Sequence, residues 1–430
     1  MISEDEIKYI QPTSRRVQYR AIYNWLYKYQ YSKVRNPSEK ALSYIEAIHH
    51  SCKVGEFRFV LHIFHEKSFV LPSSSPISLY QFLSLTQSSR NIVEISQEIL
   101  SSFTLENISG ELESELLMIE LLHAKAISEL ESELRKSLIL LQKFCYKSKN
   151  HQAINLLARS FLGMHQITSG VYQKGIETLL NILEEIDYVT NTKWSPYLYD
   201  TKADILEKIA FYRMSQRNYK ESIRLYDEAI DLNKELGLIY KNVMALANQG
   251  IVFRRTGNYE KSINVLEEAK SEIFKISNGS LNSWIDFTLS YVEHHLAYVF
   301  LDQNKLELAE HLCLKVLEKN KSMINDWGVA DCYDQLGLIS LRRRNLKEAE
   351  IYFCKSLSTR KMIGNPHSIV SSIFHLAALY RAKGEILKSV IYIMKGLNMY
   401  RRLGLFNFKK IGRVIELAKI WVSGKRGWRM

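Results

Sequence analysis

Two pairs of histidines near the N-terminus have the residue type and the spacing of possible metal ligands. His49 and His50 are adjacent, and His62 and His65 lie three residues apart, which places the second pair on one face of a helix. No cysteine or carboxylate with the short spacing of a zinc site accompanies them. Because the same segment is rich in phenylalanine, as a packed helix would be, we expect packing roles for these histidines and no metal site.

Motifs of common catalytic centres are absent from the sequence. There is no Gly-x-Ser-x-Gly elbow, no glycine-rich phosphate loop and no His-Glu-x-x-His helix. The adjacent pair His294 and His295 must point in different directions from a helix, so it does not form a metal-binding pair either. We therefore expect a protein that is not an enzyme and that has no cofactor.

The positive charge is concentrated at the C-terminal end. The formal net charge is +12, and the segment from Arg381 to Met430 contains 13 lysines and arginines against only Glu385 and Glu416. The rest of the chain is therefore nearly neutral, which argues against a general nucleic-acid-binding surface. A local basic end that meets RNA, anionic lipid or an acidic protein is compatible with this distribution.

The cysteines and the N-terminus indicate a cytoplasmic protein. The five cysteines are scattered and form no short-spaced pairs, as expected of reduced thiols. The first ten residues are acidic where a secretion signal needs basic charge before an apolar run. The longest uncharged stretch, Ser68 to Ser89, contains two prolines and many serines. It is expected to be a loop and helix start, so an integral membrane protein is not predicted.

A short motif recurs along the chain at regular intervals. It consists of a turn residue, then an aromatic or aliphatic residue, then a small residue, as in TGNYEKS (256–262) and RRNLKEA (343–349). The turn residue falls at Gly170, Arg217, Gly257, Asn304, Arg344 and Gly384, with spacings of 47, 40, 47, 40 and 40 residues. A small residue, such as Gly250 or Gly337, precedes each turn by about seven positions and lets two helices approach closely, and apolar residues follow the turn at helical spacing. Each unit is therefore predicted to be a helix, a tight turn and a second helix.

This pattern resembles the tetratricopeptide repeat in a long form of about forty residues per unit. The resemblance covers about Leu156 to Leu397, although the proline that usually separates the units is absent. It implies an all-α fold, a right-handed α-α superhelix in which each pair of helices buries its apolar face against the next. Degenerate copies upstream extend the expected solenoid to about nine helix pairs with N- and C-terminal capping helices.

Two kinds of bacterial repeat protein are similar to this chain. The stretch EAIHHSCKVGEFRFVLHIF (46–64), with the long units downstream, is similar to the sensor arms of STAND-class signal-transduction ATPases. The phosphate-binding loop of such an ATPase is absent, so the resemblance implies an arm without its motor. The long-unit arrays also resemble peptide-sensing tetratricopeptide regulators, and that resemblance implies a groove that binds short peptides.

The repeat register divides the chain into four expected segments. Residues 1–36 contain a basic-aromatic helix, and residues 37–150 contain degenerate repeats. Residues 151–400 form the clear array, and residues 401–430 form a basic capping helix and tail.

The inner surface of the first helices is the predicted binding site for a partner. Stepping by three and four residues from the packed small residue selects one stripe in each unit. The selected residues are Asp204, Glu207, Arg254, Tyr291, His294, Tyr298, Asp331, Asp334 and Phe374. Aromatic rings beside carboxylates suit a peptide with apolar and basic side chains. The leading interpretation is therefore a scaffold or sensor, acting in regulation or complex assembly, that binds a protein or peptide.

The basic end supports an alternative interpretation. Its cations in the predicted cap are Arg401, Arg402, Lys409, Lys410 and Arg413. The helix predicted from Phe408 to Trp421 is either a cap for the array or an anchor, because tryptophan and basic residues suit both. The alternative function is thus an RNA- or anionic-surface-binding repeat protein, with nucleic acid as the second choice of partner.

Arginines also recur where the first helices end, as at Arg254–Arg255 and Arg342–Arg344. Cations at a helix C-terminus complement the helix dipole, and this is the favoured explanation. A basic ridge that contacts phosphates is the other.

Overall fold

The computed structural model describes residues 4–28, 37–65, 78–85, 89–104, 112–130, 134–169, 171–189, 192–276, 282–364 and 366–402. Throughout these residues the regular secondary structure is helical, and successive helices pair as predicted. In the described part of the chain, nine helix pairs follow two N-terminal helices. The prediction of an all-α solenoid built from helix pairs is therefore confirmed.

The described chain forms two compact units. The first comprises Met1–Asn242 and Phe274–Trp284. Its helices are α1 (Glu4–Ile7), α2 (Thr13–Tyr23), α3 (Pro37–Val54), α4 (Phe57–His65), α5 (Leu79–Leu85), α6 (Ser89–Ser102), α7 (Glu113–Glu129), α8 (Leu134–Lys147), α9 (Gln152–Thr168), α10 (Tyr172–Ile186), α11 (Ser195–Ser215) and α12 (Tyr219–Glu235).

The second unit comprises Val243–Ile273 and Ile285–Met430. Its helices are α13 (Ile239–Arg255, which starts in the first unit), α14 (Tyr259–Ile276, which ends in the first unit), α15 (Asn282–Asp302, which starts in the first unit), α16 (Leu306–Ser322), α17 (Asp326–Arg342), α18 (Leu346–Ile363), α19 (Pro366–Ala382) and α20 (Ile386–Arg402). The odd-numbered helices from α9 onward are the first helices of the pairs, and the even-numbered ones are the second helices.

Five of the six predicted turn residues have the backbone conformation that a tight helix-to-helix turn requires, and the sixth, Gly170, lies outside the described residues. Gly257 and Gly384 have φ angles of 79° and 81°, in the left-handed region where glycine is favoured. Arg217, Asn304 and Arg344 occupy the same turn position with φ angles of 63°, 60° and 60°. The turn therefore keeps the same left-handed conformation even where its residue has a side chain, which disfavours positive φ angles.

The predicted small residues lie where the two helices of a pair approach most closely. A Cβ atom placed on Gly250 would lie 2.7 Å from Leu266 Cγ, and one on Gly337 would lie 2.5 Å from Phe353 Cε1. Ala297, at the same position of another pair, is fully buried. Because the interior is close-packed, a larger side chain has no room at these positions.

Within each unit, substantial contacts join helices that are close neighbours in the chain. First and second helices of one pair pack together, as α17 with α18 and α19 with α20, and one pair contacts the next, as α16 with α17 and α18 with α19. One buried core cluster of the second unit is mainly aliphatic, with Leu336 and Ile339 packed with Ala297 and Val316. Each pair thus buries an apolar face against the following one, as the repeat pattern predicts.

The basic-aromatic helix predicted within residues 1–36 corresponds to α2. α2 ends at Tyr23 and continues as a single π-helical turn over Asn24–Lys28, and the short α1 was not predicted. The predicted helix from Phe408 to Trp421 lies outside the described residues. The boundaries of the four predicted segments stay a prediction.

Candidate functional site

The first helices of the second unit bring charged and aromatic side chains together. The guanidinium carbon of Arg254 lies 4.8 Å from the centre of the Tyr298 ring. Arg254 Nη1 pairs with Asp302 Oδ2 at 2.9 Å, and Arg342 Nη2 lies 3.4 Å from Asp302 Oδ1. One carboxylate at the end of α15 therefore joins arginines from the ends of α13 and α17.

Helix α15 contributes a row of rings to this cluster. The ring centres of Tyr291 and His295 are 4.5 Å apart, and those of His294 and Tyr298 are 4.9 Å apart, both edge to face. The Tyr291 hydroxyl donates a hydrogen bond to Asn248 Oδ1 on α13 at 2.8 Å. Edge-to-face contacts of this kind orient the rings, and His294 itself is buried.

Burial and neighbouring charges shift the pKa values of His295 and Tyr298 in this row. Burial lowers the pKa of His295 well below its ordinary value, and the neighbouring His294 acts in the same direction. Burial and the nearby carboxylates of Asp334 and Asp331 raise the pKa of Tyr298. Near neutral pH, His295 is therefore a neutral ring and Tyr298 keeps its proton, so both retain hydrogen-bond donors.

A second group of charges lies between α17, α18 and α19. Arg360 Nη2 pairs with Asp331 Oδ1 at 2.6 Å, and its Nη1 pairs with Asp334 Oδ2 at 2.6 Å. His375 Nδ1 lies 3.2 Å from Asp334 Oδ1. The Asp334 side chain is 1% exposed, whereas that of Asp331 is 45% exposed. Asp334 therefore holds the three helices together, and Asp331 is the carboxylate of this group that faces solvent.

The residues of the second unit that were predicted to bind a partner thus fall into three sets. Arg254, Tyr291, His294 and Tyr298 belong to the cluster around α15. Asp331 and Asp334 meet through Arg360. Phe374 packs inside its own helix pair, because a Cβ atom on Gly396 of α20 would lie 2.9 Å from its ring.

The remaining two groove residues lie in the first unit. Asp204 Oδ1 pairs with the Lys241 ammonium at 2.7 Å, and Asp200 Oδ1 pairs with it at 2.6 Å. The two carboxylates raise the pKa of Lys241 against the opposing effect of burial. Glu207 is half-buried one helical turn further along α11.

Sequence reasoning missed Asp302, Arg360 and His375. The stripe was read from first helices only, so Arg360, on the second helix α18, was not considered. Asp302 is the last residue of α15, one turn beyond Tyr298, and extending the same stripe by four residues would have found it.

Comparison with known sequences identifies the repeat. The sequence profile of the tetratricopeptide repeat matches residues 201–271, which include most of α11 and all of α12 and α13. The chain contains tetratricopeptide repeats. No curated protein matches the sequence.

Solved structures of other proteins share the helical fold. A STAND protein with a tetratricopeptide repeat sensor from Pyrococcus horikoshii has a TM-score of 0.54 at 16% identity, over 97% of this chain. This chain spans 56% of the length of that protein. NprR in complex with its cognate peptide NprX has a TM-score of 0.54 at 13% identity, over 74% of this chain and 86% of that one. A Rap protein complexed with competence and sporulation factor has a TM-score of 0.52 at 11% identity, over 76% and 96%.

The arginines at the ends of the first helices have a role that the helix dipole alone does not explain. Arg342 donates to the backbone carbonyl of Leu301 on α15, besides its contact with Asp302. Arg343 Nη1 pairs with Glu310 Oε2 on α16 at 2.7 Å. These side chains therefore link successive tetratricopeptide repeats.

The basic end is described only in part. Arg401 is exposed at the end of α20, where Arg402 is the last residue of the helix. Lys409, Lys410 and Arg413 lie outside the described residues. The two roles predicted for this end, a cap for the array and a binding surface, both stay predictions.

The N-terminal histidines have individual partners upstream of the clear repeats. His49 pairs with Glu98, and His50 Nδ1 lies 2.6 Å from Gln18 Oε1. His65 Nδ1 lies 2.9 Å from the Tyr197 hydroxyl, and burial lowers the pKa of His65 to about 4. Across the described ranges no group of three or more potential metal ligands is found. Nor does any described helix have the length and apolar character needed to cross a bilayer.

Proposed function

We propose that this chain is a non-enzymatic regulatory protein of the cytoplasm that binds a peptide, or an extended segment of a protein, on the first helices of its second unit. The observation that supports this most directly is the cluster of Arg254, Tyr298, Asp302 and Arg342, which joins three successive repeats. Repeat proteins bind extended partners along such surfaces, because each repeat contributes a few side chains. The five cysteines are free thiols, which fits a reducing compartment.

The chemistry of the cluster and of Asp331 favours a partner with aromatic or apolar side chains and at least one basic side chain. Tyr298 is half-buried and its ring already accepts a cation on one side, so it can anchor an apolar side chain at its edge. Asp331 keeps 45% of its side chain exposed while Arg360 binds only its Oδ1. Its second oxygen is available to a lysine or arginine of the partner. The peptide complexes of the similar Rap protein and NprR support this proposal by analogy.

Replacement of Tyr298 by alanine should weaken peptide binding at least about tenfold, or about 1.4 kcal/mol. The ring is the aromatic anchor and also positions Arg254. The probe is a linear peptide selected from a displayed library on the wild-type protein, and its affinity is measured by isothermal titration calorimetry. Tyr298→Phe keeps the ring and should bind nearly as well as the wild type.

Lys220→Ala and Glu260→Ala are matched controls, because both residues are exposed on second helices. Their affinities should equal that of the wild type. Equal losses in all variants, or none in any, would exclude the first-helix surface as the binding site. Binding that collapses with salt in every variant would instead favour the basic end.

A further inference from the structure

The outward positions of the second helices change character along the repeats. α12, α14, α16, α18 and α20 begin at equivalent positions, so their residues can be compared place by place. The ninth residue is acidic in the first two helices and uncharged in the last three: Asp227, Glu267, Leu314, Cys354 and Met394. The tenth residue changes from glutamate to lysine at the same point: Glu228, Glu268, Lys315, Lys355 and Lys395. The last three helices therefore share a surface chemistry that the earlier two lack.

The apolar residues of these three helices are exposed. Leu314 is 43% exposed, Ile351 is 55% exposed and Met394 is 61% exposed. Helix α20 extends the surface with Leu387 at 76% exposure, where the second residue of each earlier helix is charged. We call this surface the outer apolar patch; it comprises Leu314, Ile351, Cys354, Leu387, Val390, Ile391 and Met394. Exposed apolar residues at equivalent positions of successive second helices are the kind of surface that contacts a protein or a membrane.

Lysines accompany the outer apolar patch, and two of them have no acidic partner in the described part of the chain. Lys355 Nζ lies 5.6 Å from the centre of the Tyr333 ring, and Lys395 Nζ lies 5.1 Å from that of Tyr392. Lys315 pairs with Glu293 at 2.7 Å, although its side chain remains 56% exposed. Helix α20 contains four lysines and arginines and no acidic residue. Helix α20 therefore contributes only positive charge to the patch.

This charge selects among the possible occupants of the patch. A second copy of the chain would bring the same cations against each other. The segment that follows α20, residues 403–430, contains seven lysines and arginines against Glu416 alone, so its charge opposes contact with the lysines of the patch. The charge favours an anionic partner, and the exposed apolar residues favour a partner that can bury them. Among anionic partners, a bilayer accepts exposed aliphatic ridges, whereas RNA offers little for them.

We propose that the outer apolar patch docks on an anionic lipid bilayer, with its aliphatic side chains in the interface and its lysines at the lipid phosphates. This goes beyond the proposed function, because the patch lies on second helices and the peptide site lies on first helices. Lys355 and Lys395 would provide the electrostatic attraction, and Ile391 and Met394 would provide apolar contact. Binding would be peripheral and reversible.

Vesicle flotation with the full chain tests this proposal. The protein should float with phosphatidylcholine vesicles that contain about one-third phosphatidylglycerol, and not with phosphatidylcholine alone. Binding should weaken as salt is raised, because the attraction is screened over about 8 Å at physiological ionic strength. Lys355→Gln with Lys395→Gln should lower the partition coefficient about thirtyfold, since each cation near an anionic surface contributes about 1 kcal/mol.

The apolar contact has a matched control at the same place in the repeat. Ile391 and Asn264 are the sixth residues of α20 and α14, and both are exposed. Ile391→Glu should abolish flotation with anionic vesicles, whereas Asn264→Glu should leave it nearly unchanged. Tyr298→Ala should also float normally, so failure of this proposal and failure of the peptide site are distinguishable.

Several results would overturn the proposal. Absence of flotation, equal flotation with neutral vesicles, or equal effects of Ile391→Glu and Asn264→Glu would each exclude bilayer docking. If only polyglutamate or RNA binds, the partner is an acidic polymer. If Ile391→Glu splits a dimer in size-exclusion chromatography without any lipid binding, the patch is a contact between copies. If it only lowers the melting temperature, the patch is covered by the chain itself.

Discussion

Replacement of Asp334 by alanine should destabilise the protein by about 3–5 kcal/mol, because Arg360 loses its buried counter-charge and keeps only the half-exposed Asp331. Asp334 is 1% exposed and lies 2.6 Å from Arg360, whose side chain is 6% exposed. His375 contacts the other carboxylate oxygen. Urea unfolding followed by far-ultraviolet circular dichroism measures the loss.

Asp331→Ala is the matched control for this substitution. Asp331 pairs with the same Arg360 at the same distance of 2.6 Å, but its side chain is 45% exposed. Water replaces an exposed carboxylate readily, so the expected loss is only about 0–1 kcal/mol. If the two alanine variants were equally stable, the buried network would not hold α17, α18 and α19 together.

The same network should make stability depend on pH in the acidic range. Burial alone would raise the pKa of Asp334, but His375 and Arg360 together hold it below its ordinary value of 3.8. A carboxyl group with a depressed pKa in the folded state stabilises the protein fully above its unfolded pKa. That contribution is lost as pH falls through the folded pKa. The free energy of unfolding of the wild type should therefore fall below about pH 4, and Asp334→Asn should lack this part of the decrease.

Gly337→Leu should destabilise the second unit by about 1–3 kcal/mol, because it overpacks the closest approach of α17 and α18. Even a Cβ atom at this position would lie 2.5 Å from the Phe353 ring, which is fully buried. Gly250→Leu, at the same place in another pair, should behave alike. Thermal unfolding of the purified variants measures both effects.

Ser358→Leu provides the comparison, because Ser358 is exposed on α18. Its melting temperature should stay close to that of the wild type. The double variant Gly337→Leu with Phe353→Ala should lose less stability than the sum of the losses of the two single variants. Alanine at position 353 leaves room for the leucine side chain. Strict additivity would contradict a steric origin.

The fold was predictable because the same motif recurs several times at a regular spacing. The turn at Arg344 carries no glycine, yet its spacing from Gly384 predicted a turn, and its φ angle of 60° is that of the glycine turns. Periodicity also predicted Gly250 and Gly337 as close contacts, because one small residue per pair precedes each turn. Such features depend on residues near each other in sequence, so one chain reveals them.

The depth of a residue within the array was harder to predict. Helical spacing placed Asp331 and Asp334 on one stripe, but it could not tell that the second is enclosed by Arg360 and His375. These partners come from α18 and α19, so the burial of Asp334 depends on how three helices pack. The contact of Phe374 with α20 was missed for the same reason.

The predominance of contacts between neighbouring helices has a kinetic consequence. Loops that close between adjacent helices are short, so their closure costs little entropy, and proteins rich in local contacts fold in microseconds to milliseconds. Within each unit, α17 with α18 or α19 with α20 can serve as a nucleus from which structure spreads to the next pair. Amide hydrogen exchange should then show graded protection, with successive pairs opening at different free energies instead of in one cooperative step.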